Sequence, residues 1–197
     1  MIKVELENVK PMDIEKRSFE IITSELGDVQ LVPGTELIVK RCIHTSADFD
    51  YAQNLKFSEG AVQHALDAIK NGACIVTDTQ MAKAGINKKA LARYGGEVYC
   101  FMSDEDVAQN AQKNGTTRAT ASMDKAAGLS KPLIFAVGNA PTALVRLYEL
   151  IEDGFLKPEL IMKAPVPYIV AQGRKGGSNI AACIVNALLY MINNSRD

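Results

Sequence analysis

Short apolar runs alternate with stretches of helical periodicity along the whole chain, and that alternation sets out its elements. After Pro11, the stretch Met12 to Leu26 places Ile14, Phe19, Ile22 and Leu26 on one helical face. Pro33-Gly34 opens a second helical segment, Glu36 to His44, ending near Thr45; its LIV and CI runs also suit a strand. A third helix is expected to start at Phe57-Ser58-Glu59 with Ser58 as N-cap, reach Lys70 and stop at Gly72. Ala73 to Thr77 predicts a short buried strand ending at Asp78. A helical patch at Met81 to Ala84 follows, then a segment capped by Asn87 that reaches Tyr94. Glu97 to Met102 predicts a strand, Asp104 to Lys113 a helix, and Thr117 to Ala127 a helix rich in small residues. Leu133 to Val137 predicts a strand leading into an amphipathic helix, Thr142 to Glu152. Leu160 to Met162 and Tyr168 to Ala171 suit strands, and a last helix runs from Ser178 to Ile192.

Strand and helix alternate at the spacing of βαβ units, which predicts an α/β fold: a layered α/β/α sandwich around a mostly parallel sheet. No repeat, low-complexity tract or linker divides the sequence, so one domain is expected over residues 1–197. In such sheets ligands gather beyond the carboxyl ends of the strands. That directs attention to three segments: TDT at 77–79, GNAPT at 138–142 and GRKGGS at 173–178.

Composition narrows the function classes. With 22 Lys and Arg against 23 Asp and Glu, the net charge is −1, which argues against a surface built to coat nucleic acid or an anionic membrane. A local basic pocket for an acidic small molecule remains compatible with it. The first residues have neither the apolar run of a secretory signal nor the character of a transit peptide. No stretch approaches the roughly 20 apolar residues of a spanning helix. Cys42, Cys74, Cys100 and Cys183 are widely spaced with no CxxC pair, and are expected to be reduced core thiols of a cytoplasmic protein.

Several segments can carry chemistry. In LIFAVGNAPTAL, residues 133–144, a strand runs through Gly138-Asn139 into a helix opened by Pro141, and helix-terminal amides favour an anionic group there. The same pattern suits a tight strand–helix turn that binds nothing. GRKGGSN repeats the logic with Arg174 and Lys175 as cations, and it matches neither GxxxxGK[ST] nor GxGxxG. A solvated basic turn accounts for it equally. His44, in RCIHTSAD, can exchange protons near neutral pH, with Arg41 one helical turn before it; a structural histidine has the same local sequence. His64 falls on a surface-helix pattern and is given no role. NGTTRATASMD places Arg118 near a helix start among threonines that can bind an oxyanion or cap the helix. Together these loops and cations describe a pocket for a large polyanion.

IEKRSFEII, RCIHTSADF, IVTDTQMAKAGI, TTRA, VGNAPTAL and GRKGGS occur in that order from residue 14 to residue 178. This ordered set resembles the precorrin-8X (cobalt-precorrin-8) methylmutase family over nearly the full chain. The resemblance implies a flavodoxin-like fold with a parallel five-stranded sheet between helices, and a homodimer with active sites near the subunit interface. It also implies an isomerase of cobalamin biosynthesis. That enzyme moves a methyl group from C-11 to C-12 of the macrocycle, giving hydrogenobyrinate or cobyrinate. His44 falls on the family's catalytic histidine, whose role is to exchange a proton with the macrocycle and ease a 1,5-sigmatropic shift. No enzyme-bound cofactor or metal is implied; any cobalt belongs to the polycarboxylate tetrapyrrole substrate. By position, Ser18, Arg41, Thr45, Arg118, Asn139, Arg174 and Ser178 are expected to contact substrate.

One segment departs from the family. Its members carry a longer connection, with PVGF and ESKE-like stretches, where PELIMKAPVPYIV here passes almost directly between two expected strands. Parallel neighbours need a crossover of about a dozen residues or more. Either these strands are not parallel neighbours or residues near Met162 are absent, and absence is the favoured reading. Two rival functions remain: a non-catalytic tetrapyrrole carrier on the same fold, and a nucleotide-binding protein, for which neither glycine fingerprint is present.

Overall fold

The computed structural model describes residues 9–160 and 166–194. A 3-10 turn at Pro11–Asp13 leads into α1 (Ile14–Leu26), followed by α2 (Glu36–Ser46) and α3 (Tyr51–Asn54). Then come β1 (Leu55–Phe57), α4 (Ala61–Lys70), β2 (Cys74–Thr77), α5 (Gln80–Gly85), α6 (Lys88–Ala92) and β3 (Val98–Tyr99). The second half holds α7 (Glu105–Lys113), α8 (Arg118–Ala127), β4 (Leu133–Ala136), α9 (Pro141–Glu152), β5 (Ile169–Ala171) and α10 (Ser178–Asn194).

β2 lies at the centre of a parallel sheet in the order β3-β2-β4, registered by Val76 opposite Tyr99 and Phe135. Leu160 extends it by a parallel bridge to Ile134. Because side chains alternate along a strand, the sheet presents two apolar faces. Ile75, Ile134 and Ala136 pack with Ile38, Ile43, Ile69, Ile180 and Leu188 of α2, α4 and α10. Cys74, Val76, Leu133, Phe135 and Val137 pack with Met123 of α8 and Leu147 of α9. Helices therefore cover both faces, the arrangement that a near-continuous apolar run such as CIVT requires. Each large aliphatic side chain buried there contributes on the order of 1.5–3 kcal/mol.

The expectation of one five-stranded sheet is not met by the described residues. They form the three-stranded sheet with its bridge, and β1 pairs separately and antiparallel with β5, Leu55 opposite Ala171. The expected strands around Leu160 and Ile169 are thus not parallel neighbours, so their short connection has no crossover to make. Met162, with the rest of 161–165, lies outside the described residues.

Two local expectations change. Ser58 does not cap α4: its hydroxyl accepts from the Tyr168 amide at 2.9 Å, serving the β1–β5 pair, and α4 begins after Gly60. The expected strand at 97–102 contracts to Val98–Tyr99 because the chain turns at Phe101, whose carbonyl accepts from the Asp104 amide. The helix expected from Glu36 to near Thr45 is found, over its strand alternative, as α2, which ends where Ala47 takes a left-handed conformation (φ 54°). Elsewhere Asn87 and Thr117 cap α6 and α8 through their side chains, as helix-start residues should. His64 pairs with Glu159 at 2.9 Å on the surface. All four cysteines are free and buried, and no described helix is long and apolar enough to cross a membrane.

Candidate active site

The three segments beyond β2, β4 and β5 do converge, through a residue whose role the sequence did not disclose. Asp78 follows β2 and is completely buried. Its carboxylate accepts from the backbone amides of Gly138, Asn139 and Ala140 at 3.1, 2.7 and 2.8 Å. The amides expected to receive an external anion at the GNAPT turn are therefore occupied by the protein's own carboxylate. Gly138 must be glycine for a second reason: a Cβ there would lie 2.5 Å from the Gly177 carbonyl oxygen. The Thr79 hydroxyl donates to Ser178 at 2.8 Å and accepts from the Ala82 amide, tying the TDT segment to the start of α10. Asn139 and Arg174 line the resulting cavity, about 310 Å³, with Pro141, Leu144, Gly176 and Ile180.

A second group forms where α2 crosses α10. His44 is exposed in the last turn of α2, and its ring meets Phe19 of α1 edge-on, 6.0 Å between centroids at 89°. Arg41, one turn earlier, carries its guanidinium 4.3 Å from the Tyr190 ring centre and 5.6 Å from that of Phe19, and pairs with Glu15. Its Nε is buried without a hydrogen-bond partner. Thr45 donates to the sulfur of Cys183 at 3.3 Å. Arg41, Thr45, Cys183, Asn179, Asn186 and Tyr190 line a cavity of about 300 Å³.

Lys175 joins the two groups. Its ammonium bonds Asp48 and lies 3.0 Å from Asp50, holding the GRKGGS loop against the turn that follows His44. The hydrogen bond from Lys175 lowers the Asp48 carboxyl below its ordinary range, and Asp48 with Asp50 raises Lys175. A lowered carboxyl keeps its tie above the ordinary aspartate range and loses it as pH falls through the lowered value. The clamp is therefore intact throughout the neutral range.

The precorrin-8X methylmutase family model matches residues 13–167 and 162–191. The chain belongs to that family. A relative from Priestia megaterium, named cobalt-precorrin-8 methylmutase, is 40% identical over 197 residues, covering 91% of this chain and 88% of the relative. One of the same name from Salmonella typhimurium is 43% identical, covering 92% and 95%. The solved precorrin-8x methyl mutase of Thermus thermophilus superposes with a TM-score of 0.83 at 35% identity, covering 93% of this chain and 98% of the other. The family match is split at residues 162–167, inside the short connection noted in the sequence.

In this member of the methylmutase family the expected contact residues fall into distinct places. Arg41 and Thr45 line the cavity beside His44, and Asn139 and Arg174 line the other. Ser18 is half-buried on α1, next to the Phe19 that touches His44. Ser178 is engaged by Thr79. Arg118 is exposed at the start of α8, which Thr117 ties to Thr142 of α9 at 3.0 Å. Sequence reasoning missed the work of Asp78, Lys175 and Tyr190. A lone carboxylate directly after the apolar CIVT run was the available signal for Asp78. For Lys175 there was none, since its partners lie more than a hundred residues earlier.

Lys175→Met removes the clamp without shortening the side chain much. Tryptic cleavage after Arg174 is expected to become several-fold faster in the folded protein, because the loop opens more often. Unchanged cleavage, followed by mass spectrometry of the released fragments, would show that the glycine-rich backbone alone holds the loop.

Proposed function

We propose that the chain is an isomerase of corrin-ring biosynthesis that moves a methyl group from C-11 to C-12 of precorrin-8X or cobalt-precorrin-8. The observation that carries this reading is an exposed His44, positioned by packed helices and joined by the Lys175 clamp to a basic, glycine-rich loop. Methyl migration within the macrocycle leaves its atoms unchanged, so the protein has two tasks: to orient the ring and to manage a proton. His44 exchanges that proton with a ring nitrogen, and an imidazole does so at neutral pH without another cofactor. Arg41, Arg118 and Arg174 meet the substrate's peripheral carboxylates, a match that charge-assisted hydrogen bonds make strong. Ser18, Thr45, Asn139 and Ser178 supply neutral donors and acceptors.

On this reading residues 1–197 act as one cytoplasmic domain of flavodoxin-like kind, completed to five strands, and work as a homodimer. No cofactor resides on the protein, and cobalt arrives with the substrate when present. Sedimentation at assay concentrations is expected to give twice the chain mass of 21.4 kDa; a single-chain mass would remove the dimer from the proposal.

The deciding experiment is an anaerobic absorption spectrum of the purified protein mixed with each substrate form and followed over time. Appearance of the corrin chromophore establishes the reaction, and the faster form identifies the natural substrate. Tight binding of both forms without conversion would replace the enzyme with a tetrapyrrole carrier.

A further inference from the structure

One ring on α1 touches both of the charged or titratable groups that α2 brings to the site. Phe19 is half-buried and packs on the core that α2 and α10 share. The His44 ring meets it edge-on at 6.0 Å, and the Arg41 guanidinium carbon lies over its face at 5.6 Å. Arg41 and His44 stand one helical turn apart on α2, so both reach α1 from the same side of the helix. From α10, Tyr190 carries the same guanidinium over its own face at 4.3 Å.

These ring contacts are what give the two groups a direction. Among the described residues no hydrogen bond or ion pair holds the His44 imidazole. An exposed imidazole at a helix end otherwise turns about its side-chain bonds between rotamers. Arg41 pairs with Glu15, an exposed carboxylate, and its Nε is buried without a partner. Aromatic faces attract a guanidinium through the ring quadrupole while leaving its N–H edge free for a planar carboxylate. Arg41 also forms a wall of two cavities, the one it shares with Thr45 and another of about 480 Å³ that Phe19, Thr23 and Leu37 line with it.

We propose that Phe19 is a positioning residue of the methyl-shift site, setting the direction of the His44 imidazole and, with Tyr190, that of the Arg41 guanidinium. The inference rests on the methyl-shift reading of His44 and Arg41, and adds how the two are kept in register. A substrate carboxylate seated on Arg41 fixes where the macrocycle stands relative to the imidazole. Misplacement by about 1 Å costs on the order of 10²-fold in rate, and a single ring shared by both groups limits their relative drift.

The test compares Phe19→Leu, Phe19→Tyr and Tyr190→Leu in the full-length protein, by anaerobic turnover and by titration with the corrin product. Phe19→Leu is expected to lower kcat by roughly 10–100-fold and to weaken product binding several-fold. Phe19→Tyr keeps the ring and should recover most of both. Tyr190→Leu, acting through Arg41, should raise KM far more than it lowers kcat. An equal loss in Phe19→Leu and Phe19→Tyr would overturn the proposal, as would a Phe19→Leu effect confined to KM.

A second readout needs no substrate and no Phe19 variant that folds. The chain has two histidines, so the His44 imidazole signals are identified in a proton NMR spectrum by their loss in His44→Gln. In wild type they should show nuclear Overhauser contacts to the Phe19 ring protons. In Phe19→Leu they should shift while those of His64 stay. Absence of the contacts in folded wild type would overturn the proposal whatever the turnover. Contacts present in a protein that converts neither substrate form would overturn the methyl-shift reading itself, and the role of Phe19 with it.

Discussion

Replacing His44 with alanine is expected to lower turnover by roughly 10²–10⁴-fold while product affinity changes little. The imidazole stands exposed at the end of α2, and its described ring contact is the edge-on approach to Phe19. Its removal therefore opens no cavity in the core and leaves no buried partner unsatisfied, so the fold should persist. Affinity should persist as well, because the proposed carboxylate contacts come from Arg41, Arg118 and Arg174. A side chain needed only while a proton moves affects the rate and not the ground-state complex. Turnover measured anaerobically, beside a spectral titration with the corrin product, separates the two quantities. His44→Gln adds a control, since it keeps hydrogen-bonding capacity without titrating near neutral pH. Retained turnover in both variants would sink the proton role, and a parallel collapse of rate and affinity would make His44 a binding residue instead.

Asp78→Ala is expected to cost about 3–5 kcal/mol of stability, because three backbone amides lose their charged acceptor in a site closed to water. For a domain of this size that corresponds to a fall in Tm of roughly 10 °C. Asp78→Asn should lie between, since an amide retains one acceptor oxygen but turns a donor toward backbone N–H groups. The consequence reaches the site because Asn139, on the held turn, lines the cavity with Arg174. In Asp78→Asn, KM should rise more than kcat falls if the turn positions a binding contact. Denaturant unfolding with steady-state kinetics on the same preparations checks both parts. A stability change under about 1 kcal/mol would mean that the three amides find water once the carboxylate is gone.

Much of the fold was legible in the sequence because its signals are local. The apolar runs CIVT and LIFA were found as strands, and the face periodicity of α1, α7, α9 and α10 was found as helix. β1 was not: three residues long with Lys56 at its centre, it follows a short helix directly and has no period of its own. Its identity comes from β5, more than a hundred residues later, which satisfies its backbone groups. The same distinction governs Ser58, which has the sequence of an N-cap and serves Tyr168 instead.

The candidate site divides along the same line. Sequence alone determined which residue types were available: one histidine in a polar helix end, three glycine- or proline-marked turns after strands, and a handful of cations in a chain of charge −1. Motif order also placed the chain in its family. Tertiary structure decided how those groups are used. It gave the amides of the GNAPT turn to Asp78, placed Lys175 between Asp48 and Asp50, and brought Thr45 against Cys183. Helix and strand signals are legible because backbone hydrogen bonding and side-chain period repeat over a few residues. A buried carboxylate or thiol has no such period: its partner is whichever group the packed chain brings within about 3 Å, and sequence separation does not record that distance.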